Sequence, residues 1–117
     1  MPPTDLPVPP PYPNVTYSQG AINHLHGGLV IRATETLREV MGPDFDAADI
    51  IWSAGPDDRG QPIYTLTVRV PAWQAVAERS FTADEIMAAR VPLYRLWSQM
   101  LRNQVDRLLA VPTRVAV

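Results

Sequence analysis

The segment Pro92-Leu93-Tyr94-Arg95-Leu96-Trp97-Ser98-Gln99-Met100-Leu101, running on to about Ala110, limits the possible folds more than any other stretch. On a helical wheel, Leu93, Tyr94, Leu96, Trp97, Met100, Leu101, Val105, Leu108 and Leu109 sweep an arc of about 220°. A helix lying on one sheet needs about half of that arc. The surplus must be buried by another element of this chain or by a second chain.

The rest of the chain has to supply the surface on which that helix lies. Ile63 to Val70 is the clearest strand: Tyr64, Leu66, Val68 and Val70 face one way, and Thr65, Thr67 and Arg69 the other. Such alternation describes an antiparallel sheet covered on one side. Ile50, Trp52 and Ala54 alternate with Ile51 and Ser53 in an earlier strand. Between the two, Gly55-Pro56-Asp57-Asp58-Arg59-Gly60 is dense in turn formers. Residues 71–81 admit a strand or a short helix. A third strand after a loop carrying Trp73 is favoured, because three strands outlast an isolated hairpin.

Thr82-Ala83-Asp84-Glu85 is a capping box, with Thr82 at the N-cap and Glu85 three residues on. Pro92 falls too late for that helix's first turn, so it kinks the helix or opens a new one. Segments 83–90 and 92–110 are expected to be separate or bent. Upstream, a first helix is expected from Ser18 to Met41, stopped by Gly42-Pro43. Its face would be Ile22, Leu25, Leu29, Ala33, Leu37, Val40 and Met41. Gly27-Gly28 interrupts it, either for close backbone approach or as a break before Leu29.

The fold class that follows is α+β: a two-layer helix-strand-strand-(strand)-helix domain with a short antiparallel sheet, over residues 18–111. A chain of 117 residues with 46% hydrophobic and 19% charged residues suits one such soluble domain. Residues 112–117 form a tail. Residues 1–17 form a Pro-rich arm, with seven of the thirteen prolines before Asn14. Proline fixes φ and donates no N–H, so the arm is expected to be extended. Pro9-Pro10-Pro11-Tyr12 matches the Pro-Pro-x-Tyr pattern that WW domains bind, and these four residues are the arm's docking candidates. A loose tail is favoured over a docking strap.

Chemistry is sparse. With no Cys, there are no disulfides, thiolate sites or Cys nucleophile. His24 and His26 lie about 200° apart on a helix and cannot share one metal. Asp44, Asp46 and Asp49 lack the central Gly and closing Glu of a calcium loop. Ser18, Ser53, Ser80 and Ser98 lack the Gly-x-Ser-x-Gly elbow. No catalytic residue, metal or cofactor is therefore expected.

The formal charge of −2 disfavours nucleic acid and an anionic membrane surface, and no uninterrupted apolar run is long enough to span a bilayer. The helix-strand-strand-strand-helix order is shared with double-stranded-RNA-binding domains. Those hold phosphates with a basic cluster at the start of the last helix, where this chain has acidic Asp84 and Glu85. Arg79, Arg90, Arg95 and Arg102 are the only support for a nucleic-acid role, and an Arg102–Asp106 pair is expected on the last helix. All ten basic residues are Arg, which suggests a GC-rich bacterial source. The start Met1-Pro2-Pro3-Thr4-Asp5 has no signal-peptide pattern, so a cytoplasmic protein is expected.

What remains is an assembly module. The chain is expected to self-associate, as a dimer first, through Tyr94, Trp97, Leu101, Leu108 and Trp73, since such aromatics favour interface centres. If the Pro-rich arm docks rather than hanging as a tail, a further protein is its partner. The alternative is a small-molecule or enzymatic site between sheet and helices, with His26, Tyr64 and Arg69 as polar groups.

Overall fold

The computed structural model describes residues 12–22 and 27–110. Four strands, β1 (Val15–Tyr17), β2 (Asp49–Pro56), β3 (Pro62–Val70) and β4 (Ala75–Thr82), form one sheet in the order 1-2-3-4. Helices α1 (Gln19–Ile22) and α2 (Gly27–Met41) precede β2, while α3 (Ala83–Met87) and α4 (Arg90–Ala110) follow β4. The α+β architecture is as the sequence predicts, with two differences.

First, the sheet is mixed. Strand β1, which falls in the predicted arm, pairs parallel with β2, Val15 opposite Ile50 and Tyr17 opposite Trp52. Its corner is held by the Asn14 side chain, whose Nδ2 donates to the carbonyls of Phe45 (2.7 Å) and Ala48 (2.8 Å). The Phe45 carbonyl, which also accepts the Ala48 N–H at 3.2 Å, and the Ala48 carbonyl lie at the end of the 3₁₀ turn Gly42–Ala47, so Asn14 ties β1 to that turn.

Second, the predicted first helix is two elements. Ser18 does cap α1, its Oγ accepting from the Ala21 N–H at 3.3 Å. Residues 23–26, including His24 and His26, lie outside the described residues, and α2 begins at Gly27. The stop is as expected: Gly42 takes a φ of +65° and Pro43 follows it into the 3₁₀ turn.

Strands β2 and β3 pair with Trp52 opposite Leu66, and β3 pairs with β4 with Tyr64 opposite Phe81. One face therefore carries Ile50, Trp52, Tyr64, Leu66, Val68, Val70 and Phe81, all buried. Val30, Ala33, Leu37 and Met41 of α2 and Leu93, Trp97 and Met100 of α4 close over it. The opposite face is wet: Thr65 bonds Ser80 at 3.0 Å, and Arg69 pairs with Asp49 at 3.1 Å.

The junction after β4 follows its local code. Thr82 Oγ1 accepts from the Glu85 N–H (3.2 Å), and Glu85 Oε1 accepts from the Thr82 N–H (2.9 Å), which closes the capping box. A break after Met87 separates α3 from α4. Pro92 is the third residue of α4, a first-turn position where no helical N–H bond is lost.

Candidate functional site

Helix α4 carries two apolar rows, and that resolves its excess of apolar surface. Leu93, Trp97 and Met100, with half-buried Gln104, repeat at four-three-four and face the core. Val91, Tyr94, Ser98, Leu101, Val105 and Leu108 repeat at three-four-three-four-three and face outward. Their mean directions differ by about 100° on the helical wheel. Each row alone has the width one packing partner needs.

The large side chains of the outer row are open to solvent, Val91 57%, Tyr94 63%, Leu101 38%, Val105 52% and Leu108 61% exposed, while Ser98 between them is half-buried. The three-four alternation is the spacing of a coiled-coil seam. Val91, Ser98 and Val105 occupy one set of seam positions, and Tyr94, Leu101 and Leu108 the other. From Val91 to Leu108 the seam runs about 26 Å at 1.5 Å per residue.

The five candidate interface residues divide. Tyr94, Leu101 and Leu108 lie on the outer seam. Trp97 lies on the inner row and is 4% exposed. Its ring stacks on half-buried Trp73 at 5.4 Å between centroids and 18° between planes. Arg107 Nη1 adds a hydrogen bond to the Trp73 carbonyl. The two tryptophans thus hold α4 to the corner between β3 and β4. Val91, Ser98 and Val105 complete the seam beyond the predicted interface residues; Val105 is in the apolar arc read from the sequence, whereas Val91 and Ser98 are not, although their spacing is visible there.

Of the arm's docking candidates, Pro9, Pro10 and Pro11 lie outside the described residues. Tyr12 packs within its own chain, edge-on to the Phe45 ring at 5.5 Å and under the Arg38 guanidinium at 5.6 Å.

The polar groups of the alternative site do not converge. Tyr64 is fully buried under the helices, while Arg69 lies on the opposite sheet face against Asp49. Among the described residues no three His, Cys, Asp or Glu side chains are grouped to hold a metal. No described helix is long and apolar enough to cross a membrane. Of the four arginines weighed for nucleic acid, Arg79 pairs with Glu85 (3.4 Å) and Arg90 with Glu39 (2.6 Å). The expected Arg102–Asp106 pair is not formed; Arg102 stands with Arg95 on the polar flank of α4.

The chain matches no family model, no curated protein and no solved structure.

Proposed function

We propose that this chain is a non-catalytic self-association module, in which α4 pairs side by side with α4 of a second copy. The observation that carries this is the outer seam, a three-four row whose five large side chains are exposed, with half-buried Ser98 at its centre, beside a separate buried row. A two-fold pair needs a surface that fits itself, and a seam of this spacing does so by construction. Val at one seam set with Leu at the other favours two strands over three or four. Ser98, the one polar seam residue, weakens the pair and disfavours shifted registers, which would bury its hydroxyl against leucine. The cytoplasmic placement expected from the sequence remains part of this proposal.

Light scattering after size exclusion tests it. The wild type is expected to be a dimer at tens of micromolar. Leu101→Asp and Val105→Asp each place a carboxylate in the seam and should give monomers with unchanged circular dichroism. Gln99→Asp, on the other flank of the helix, should leave the dimer intact. A wild-type monomer at that concentration overturns the proposal.

A further inference from the structure

The sheet has two edges of very different character. β1 offers three residues, whereas β4 offers eight, without proline or a bulge in its pairing with β3. In an antiparallel edge strand alternate N–H and C=O groups point away from the sheet, ready to pair with another strand. Along this edge β4 and α4 bound a groove of about 340 Å³. Ala77, Leu96 and Met100 make its apolar part; Arg79 and Arg95 stand in its wall.

Charge is arranged by face. Arg79 is on the helix-covered face, in register with Leu66, while Glu78 is on the wet face and accepts from Thr67 Oγ1 at 3.3 Å. Arg95 has no ion pair among the described residues. Glu78 also lines the groove, but from the wet face; on the helix-covered side Arg79 and Arg95 stand against one carboxylate, Glu85, which pairs with Arg79, so that side keeps one uncompensated cation. A second copy is a poor occupant. With helices on one side, the two antiparallel β4–β4 registers of greatest overlap set Glu78 against Glu78 or Arg79 against Arg79, and directly opposed like charges destabilise a sheet.

We propose that the β4 edge binds an extended peptide segment of a partner protein as a fifth strand, with an acidic side chain against Arg79 and Arg95 and apolar side chains two residues to either side. The backbone supplies affinity, and the alternation of faces supplies selectivity. The site lies about 160° around α4 from the outer seam on the helical wheel, so it does not rest on self-association.

Two labelled peptides of identical composition test it: Val-Thr-Asp-Lys-Val-Thr-Leu, which sets Asp against Arg79 and Lys against Glu78, and its Lys-Asp swap. Fluorescence anisotropy on the full chain should show the first binding about fivefold tighter, the worth of one partly exposed pair. Arg95→Glu, whose fold is checked by circular dichroism, should erase the preference, and amide exchange should slow along Ala75–Thr82 when the first peptide is bound. Equal binding of both peptides, or protection elsewhere, overturns the proposal. So does binding that appears only after deletion of residues 111–117, which would make the chain's own tail the occupant, or a peptide that competes only with dimer formation.

Discussion

Trp52 Nε1 donates to Thr34 Oγ1 at 2.8 Å, joining the centre of β2 to α2. Apart from the aromatic side chains, Thr34 is the one buried polar or charged side chain among the described residues. Its hydroxyl proton goes to the Val30 carbonyl at 2.7 Å, and Tyr17 Oη shares its oxygen at 3.3 Å. One hydroxyl therefore ties the helix layer to both the edge strand and its neighbour. Thr34→Val keeps the shape but leaves the buried indole N–H unpaired, which should cost about 1–3 kcal/mol. Thr34→Ser should recover most of it. Urea unfolding followed by Trp fluorescence measures both, and equal stability of the valine variant would remove the hub's importance.

Tyr17 gives that hub a pH signature. Burial raises its pKa above the ordinary 10.0, partly offset by the bond to Thr34, with the nearby Tyr12 and Glu35 adding to the rise. A phenol with a raised folded-state pKa keeps its proton longer in the folded chain than in the unfolded one. Its contribution is then fully present below pH 10 and is lost as pH climbs through the folded-state pKa. Buried Tyr64 shifts the same way. Unfolding midpoints measured from pH 7 upward should be flat until about pH 10 and then fall, and Tyr17→Phe should reduce the fall.

Gly20 is fixed by contact rather than by its dihedrals. A Cβ there would lie 2.8 Å from the backbone oxygen of Ala54, in the sheet. A carbonyl in a paired strand has little room to retreat, so Gly20→Ala should destabilise by about 1–3 kcal/mol. Gly28→Ala, where an added Cβ meets no atom of the described residues beyond its own helical turn within 4 Å, should be neutral or stabilising in a helix. Thermal melts of the pair give the comparison directly, and equal melting temperatures would disprove the contact.

The two rows of α4 should separate in mutagenesis. Trp97→Ala empties a buried, stacked site and should cost about 3–5 kcal/mol. Leu108→Ala removes an exposed side chain and should hardly change monomer stability, while weakening any association. Chemical unfolding of a monomeric background such as Leu101→Asp keeps folding and assembly apart. Similar losses for both variants there would contradict the division.

What could be read from the sequence was decided by near neighbours. The Thr82–Glu85 box, the alternation of β3 and the stop at Gly42-Pro43 each lie within a few residues of chain, and each formed. β1 was not legible because its causes are remote: three residues after a run of prolines become a strand through Asn14, whose partners Phe45 and Ala48 are 31 and 34 positions away. Tyr94 and Trp97 lie about 60° apart on the helical wheel within one apolar arc, and it is the core that takes Leu93, Met100 and Trp97, with Trp73 stacked on the last, that leaves Tyr94 outside. The outer seam was hidden for a different reason. It has the same period as the inner row and overlaps it, so the two merged into one arc.

That α4 is open on two flanks has a geometric consequence. If two copies join along their outer seams, both β4 grooves turn away from the joint, and the pair becomes a bivalent receptor. A partner carrying two suitable segments on a linker that spans the pair would then meet its second groove at a local concentration near millimolar, and modest single-site binding would become durable capture.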